Sequence, residues 1–437
     1  MSDKKSRGAW GSRIGYILST LGMAIGVGAM WRFPMLTAKY GGGAFVLAFF
    51  LISIIIVIPA AWGEVGLGRH TKSGVAGALE SLAGKKGKVI GTFIALIPLL
   101  LMFYYPVIMA NVVQYIYYTV AGSPFLADPE GFYNVVANNK IVVFLVVAGL
   151  DILTGVICLG GIKGGIEKAC KILLPALFVI LVILVIRICT LPGIMQGIEF
   201  YVRPDFSQWA NPKLWVEAAG MALFAIGCGP GYLITFGSYC SDKADIGTDL
   251  VTVNITQMLI CVLSGFAMIP AVILFGMNPD AGSGLIFMVL PKVFEQLAGG
   301  PVWLVFFLIA LLFAGLSTTI SAWEVPVTVL IDSFGMKRRT AVIIVTLIAI
   351  IGAIPCIWIS EFLEHFDYLV GTFLYTAAAT GLAVYLAWFY KAKRVREEWI
   401  NPTSVVKYGA WEDVLYKFLT VPVFIYFLAT GFIGFFS

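Results

Sequence analysis

Apolar residues along this chain gather in long runs separated by short polar stretches. Eleven runs stand out: 14–38, 44–68, 89–121, 140–160, 166–190, 214–239, 248–276, 302–333, 340–358, 366–391 and 412–436. Each approaches or exceeds the roughly 20 residues that an apolar helix needs to cross a bilayer. Several are long enough to tilt or to extend beyond it. The pattern predicts eleven membrane-spanning helices. A shorter run, LIFMVLPKVFEQLA at 285–298, predicts a re-entrant or capping helix, and the connection 191–213 is broken by Pro192, Pro204 and Pro212.

Composition narrows the class further. Of 437 residues, 60% are hydrophobic and 12% charged, about half the charge of a soluble domain. A soluble fold, a disordered chain and a disulfide scaffold are all excluded. The aromatic content of 14%, with 11 Trp, suits rings placed at two membrane interfaces. Seven cysteines (158, 170, 189, 228, 240, 261 and 356) lie in apolar stretches without CxxC or histidine pairing, so they read as small core residues. The first run is long, glycine-rich and followed by Arg32, which is not the pattern of a cleavable leader.

The net charge of +5 reflects topology rather than nucleic-acid binding. Lys and Arg concentrate in the N-terminal segment and in alternate loops, among them Lys85, Lys86, Lys88, Lys337, Arg338, Arg339, Lys391 and Lys393. The opposite loops carry Asp128, Glu130, Asp205, Glu361 and Glu364. Basic loops face the cytoplasm. The expectation is a multi-pass protein of the cell (inner) membrane, with a cytoplasmic N-terminus and an extracellular or periplasmic C-terminus.

Two of the eleven runs are interrupted at similar depth. The first, LSTLGMAIGVGAMWRFP, holds Gly22, Gly26 and Gly28 and closes on Pro34; the sixth, ALFAIGCGPGYLITF, holds Gly227, Gly229, Pro230 and Gly231. Packing through small residues explains one such cluster. Two clusters five spans apart point instead to the midplane site of an inverted-repeat transporter. There, half-helix N-termini face an anion and freed carbonyls face a cation.

The run RIGYILSTLGMAIGVGAMWRFPMLTAKYGGGAF resembles the first span and following loop of the neurotransmitter:sodium symporter family. The resemblance continues through Tyr104-Tyr105, AIGCGPG, LFAGLSTTIS at 312–321 and FDYLVGT at 366–372, and it is to the bacterial, eleven-span branch. It implies an all-α polytopic membrane protein with the leucine-transporter-type fold, a 5+5 inverted repeat whose helices 1 and 6 are broken. The N-terminal segment and first repeat would cover 1–190, an extracellular loop 191–213, the second repeat 214–391, and a cytoplasmic connection with the eleventh span 392–437.

The same resemblance implies the site. Substrate would be held by Ala24, Gly26, Leu101, Tyr105, Phe224, Ala225, Gly227 and Pro230. Gly26 stands where the monoamine transporters of the family carry an aspartate, and glycine there is similar to the amino-acid transporters. Tyr105 matches a tyrosine that binds a substrate carboxylate, and Phe224 an aromatic lid. One sodium ion would be held by the carbonyls of Gly22, Ile25 and Ala314 and the hydroxyls of Ser317 and Thr318. The family's other sodium site departs: its side-chain oxygens are replaced by Ala29, Ala225 and Met23, with Gln257 or Thr256 in the seventh run. Cys261 stands in the chloride neighbourhood, and Pro230 replaces a common aromatic. The gates would be Arg32 with Asp367, and Arg7 with Asp332 beside Trp10 and Tyr239.

The function expected is import of a neutral, hydrophobic amino acid by sodium-coupled alternating access with one sodium ion and no organic cofactor. Expected partners are the substrate and membrane lipid, with no nucleic acid and an oligomeric state left open. A sodium-independent or proton-coupled amino-acid or amine transporter of the same fold is the alternative; Glu64 and Glu324 are candidate proton carriers, but helix-end capping or solvation in a vestibule is the favoured reading of both. A channel lacks support in filter loops or charge rings. An enzyme is not expected, since only His70 and His365 occur and HExxH and GxSxG are absent.

Overall fold

The computed structural model describes residues 8–123, 128–279, 285–359 and 361–436. The first apolar run is two helices, α1 (Arg13–Ala24) and α2 (Val27–Lys39), bent by 57°. Ser12 starts α1 by accepting the Gly15 N–H at 3.0 Å, which satisfies one orphan amide of the first turn. Four helices complete the first half: α3 (Gly43–Thr71), α4 (Val75–Val120), α5 (Lys140–Leu159) and α6 (Ile162–Cys189).

The sixth run is again two helices, α7 (Pro212–Ile226) and α8 (Tyr232–Ser238). Asn211 caps α7 and Pro212 opens it, where a missing N–H costs nothing. Five more follow: α9 (Ile246–Leu274), α10 (Gly300–Phe334), α11 (Arg338–Trp358), α12 (Phe362–Phe389) and α13 (Trp411–Phe432). The run at 285–298 forms a π turn, Leu285–Val289, and a helix, Leu290–Glu295.

Two features differ from the hydropathy pattern. Nine helices among the described residues are long and apolar enough to cross a membrane, or ten with α1 and α2 as one bent span. The expected sixth span is split into pieces of 15 and 7 residues, neither of spanning length by itself. The third run starts earlier than expected, at Val75. A kink at Ala83 and Gly84 (φ +60°) joins its polar lead-in to its apolar part. Glycine supplies that positive φ without steric cost.

Helix α10 lies at the centre, packed against α1, α4, α5, α6 and α11. All seven residues of α8 are buried. On the outer helices, exposed apolar side chains recur three, four or seven residues apart. They are Ile141, Leu145, Ile152 and Val156 on α5, and Ile172, Val179, Ile183 and Ile186 on α6. Such stripes present one helix face to lipid. The breaks in the first and sixth runs therefore lie inside the bundle, at its axis.

Candidate functional site

Ile25 leaves α1 at φ −97°, ψ 86°, and Gly26 continues at φ −97°, ψ −175°. The last carbonyls of α1 and the first N–H groups of α2 thereby lose helical partners. Thr318 Oγ1, on α10, lies 3.4 Å from the carbonyl oxygen of Gly22, 3.3 Å from that of Ile25 and 3.2 Å from that of Ala314. The fully buried Ser317 donates its hydroxyl to Ala314 at 2.9 Å. A hydroxyl has one proton, so Thr318 can satisfy one of its three carbonyls at a time. The surplus acceptors make a cage of five hard oxygens, the donor set that suits a hard cation. All five expected ligands are brought together.

Across Gly26 the chemistry changes sign. The Val27 N–H, at the start of α2, donates to Tyr105 Oη at 2.9 Å. A helix N-terminus carries free amides and a positive dipole end, which together favour an anion. A β-carbon on Gly26 would stand 3.1 Å from both Thr318 Oγ1 and Tyr105 Oη. The oxygen cage and the anion-facing helix end are therefore neighbours separated by one glycine, where a side chain would have to push both hydroxyls aside.

The remaining expected substrate residues are distributed between the two breaks. Ala24 and Leu101 are buried. Phe224, near the end of α7, meets the Tyr375 ring at a tilt, with centroids 5.2 Å apart, and approaches Gly28. Ala225 is buried, and Gly227, Gly229 and Gly231 at φ +76°, +110° and +83° carry the chain around Pro230. The Gly229 N–H is held at 2.8 Å by Glu64 Oε1. Glu64 thus anchors the break in the sixth run.

At the family's other cation position the oxygens are few. Ala29 and Ala225 present buried methyl groups, and the Ala29 carbonyl accepts the Ser264 hydroxyl at 2.8 Å. Gln257 is buried and donates to Cys261 Sγ at 3.0 Å, while Thr256 is half-buried. Of the two, Gln257 is the buried side chain.

The gates are placed as follows. Arg32 pairs with Glu217 of α7 at 3.2 Å, and Asp367 faces the Tyr104 hydroxyl beside Gly371. The expected Arg32–Asp367 pair is not a direct contact in this structure. At the basic end, Trp10 Nε1 donates to the Phe236 carbonyl at 3.0 Å, and its ring meets Phe236 and Tyr239 edge-on. The Tyr239 hydroxyl donates to Glu324 Oε1 at 2.6 Å. Asp332 accepts the Gly74 N–H at 2.9 Å. Arg7 lies outside the described residues.

Sequence reasoning missed several partners. Arg338 grips Glu324 with both Nη atoms, at 3.0 and 2.6 Å. Glu324, considered a proton carrier above, is thus the centre of the basic-end closure. Glu167 on α6 accepts the Gly11 N–H at 2.6 Å and the Ser12 hydroxyl at 2.9 Å, and Arg13 bonds Asp249 at 2.6 Å. Acids inside apolar runs were the available signal, but their partners come from distant helices.

The sequence model of the sodium:neurotransmitter symporter family matches residues 7–126 and 136–436. An uncharacterized sodium-dependent transporter of Haemophilus influenzae is 32% identical, over 97% of this chain and 98% of its own. The sodium-dependent serotonin transporter of Drosophila melanogaster is 25% identical, over 80% of this chain and 64% of its own. The crystal structure of MhsT in complex with L-phenylalanine matches with a TM-score of 0.86 at 29% identity, over 98% of this chain and 100% of that one.

Proposed function

The chain belongs to the sodium:neurotransmitter symporter family, and from that premise we propose that it imports a neutral, hydrophobic amino acid together with one sodium ion. It is a multi-pass membrane transporter and not an enzyme. In this reading the basic end faces the cytoplasm, and the two halves of the bundle alternate access around the paired breaks.

The observation that carries the reading is the contact at Gly26, where three carbonyls and two hydroxyls abut the start of α2. Sodium would sit among Gly22, Ile25, Ala314, Ser317 and Thr318. The substrate carboxylate would take the α2 N-terminus and the Tyr105 hydroxyl. Because Ile25 of the cage and Gly26 of the substrate site are consecutive residues of one break, ordering the break for one ligand orders it for the other. That is positive coupling without direct contact. Leu101, Phe224 and Ala225 supply apolar walls and no charge, which favours a neutral side chain. L-phenylalanine, the ligand in the MhsT structure, belongs to the same class.

The test is uptake of a panel of radiolabelled amino acids into proteoliposomes, each with sodium, potassium or choline outside. Uptake of apolar neutral amino acids in sodium alone is expected. Equal uptake in choline, or preference for a charged amino acid, would overturn the proposal.

A further inference from the structure

Two tryptophans mark the acidic end of α3 and α7. Trp209 donates its Nε1–H to the Ala44 carbonyl at 3.0 Å, and Trp215 donates to the Trp209 carbonyl at 2.9 Å. Their rings meet edge-on with centroids 5.2 Å apart. Ala44 is the second residue of α3, so the pair sits where that helix enters the bilayer, the level that tryptophan favours.

From this pair a groove of about 620 Å³ runs inward between α3, α7 and α13. Ile56, on its wall, lies twelve residues beyond Ala44, about 18 Å along the helix. The hydrocarbon core is about 30 Å thick, so the groove is about one leaflet deep. Leu51, Ile55, Leu419 and Tyr426 line it and are exposed. None of the cage or substrate residues lines it. It therefore opens sideways, onto the face that meets lipid.

Helix irregularity shapes the walls. Helix α3 takes π geometry at Ser53–Val57 and α13 at Tyr416–Thr420. The Thr420 hydroxyl donates to the Ile56 carbonyl at 2.7 Å, which pins the two distortions to each other. No charged side chain lines the groove, so water inside it would lack partners. An apolar cavity of roughly 150 Å³ stays dry and accepts benzene, and this groove is about four times as large.

Charge at the rim identifies the occupant. Basic residues are scarce on this side of the bundle, and Arg32 and Arg203 pair there with Glu217 and Glu199. Lys213 follows Pro212, which lines the groove, and is exposed. Among the described residues it pairs with no acid. An apolar slot one leaflet deep, with an ammonium beside its mouth, has the polarity of a phospholipid.

We propose that the groove is a phospholipid site, with one acyl chain between α3, α7 and α13 and the phosphate at Lys213. Val216 and Ala219 place α7 against the chain. The lipid thus braces against α3 the half-helix that ends at the sixth-run break. Because it binds the folded protein, it stabilises that state by mass action.

The test uses the full chain, stripped of lipid in detergent and titrated with dioleoylphosphatidylglycerol. Native mass spectrometry counts the bound lipid, and the thermal midpoint is followed alongside. The wild type is expected to retain one phospholipid when the rest are removed, and to melt higher with it. Val216→Trp fills the groove and should abolish both effects. Should that variant fail to fold, Ile55→Trp, at an exposed position, carries the same test. Lys213→Gln should weaken binding about fivefold, the worth of one lysine at a lipid surface. Dioleoylglycerol, which has the chains and no phosphate, should bind wild type and Lys213→Gln alike. Equal retention by the wild type and both filled variants overturns the site. Unchanged phospholipid affinity in Lys213→Gln, or a dimer of the chain in place of the lipid adduct, overturns the assigned occupant.

Discussion

The thioether of Met23 lies against Gly227: a β-carbon on that glycine would stand 2.9 Å from Met23 Cε and 3.3 Å from Sδ. The last turn of α1 thus fills, with a methyl group and a soft sulfur, space between the two breaks that a second hard cation would need lined with oxygen. Restoring oxygens with Met23→Asn, Ala29→Asn and Ala225→Thr together is expected to raise the sodium Hill coefficient of uptake from near one toward two. A coefficient already near two in the wild type would refute the single-ion reading.

Tyr105→Phe removes the oxygen that accepts the Val27 N–H. Substrate affinity is expected to fall by about 1–3 kcal/mol, the range for a buried polar group left without its partner. Equilibrium binding of the transported amino acid measures it, and an unchanged dissociation constant takes the tyrosine out of the site.

Arg32 is 44% exposed and Glu217 33%, so this pair is worth only about 0–1 kcal/mol. Exchange of Glu217 for Asp367 as the partner is therefore cheap, and that exchange is how the gate would close. Glu217→Gln should leave substrate binding intact. Arg32→Asp should impair transport, and Arg32→Asp with Asp367→Arg should recover part of it. Failure of the double swap, with binding normal, would exclude the pair from the gate.

Glu324 has no exposed surface and Arg338 has a quarter. Removing one partner strands the other, and Arg338→Ala is expected to destabilise the protein by about 3–5 kcal/mol. Denaturation midpoints in detergent report the loss, and thiol labelling of Cys240, buried beside this closure, should accelerate. A midpoint shift equivalent to less than about 1 kcal/mol would relegate the pair to surface decoration.

Much of this was legible in the sequence because it is written locally. Glycine runs open a backbone wherever they occur, so both breaks could be found from Gly22, Gly26, Gly227 and Gly229 alone. The adjacent hydroxyls of Ser317 and Thr318 likewise stood out in an apolar run. Pairing across the bundle was not legible. Nothing near Glu324 in the chain announces Arg338, fourteen residues on and in another helix, and Arg32 faces Glu217 across 185 residues. The count of eleven spans is not confirmed by length and composition, which give nine or ten among the described residues. Hydropathy averages over the five residues between α7 and α8, whereas hydrogen bonding does not.

Helix α1 has 12 residues, hence a length of about 18 Å, and it ends at the Ile25–Gly26 break, about which the proposed alternation of access would swing it. It is a lever whose far tip is tied down by Glu167 at Gly11 and Ser12 and by Asp249 at Arg13. A swing of about ten degrees would carry that tip about 3 Å, enough to break every one of those bonds. Gly22, three residues from the pivot, would move less than about 1 Å in the same swing. In such a swing the mechanical advantage would order the events: the moorings at the basic end would part first, and the oxygens around Thr318 would separate last.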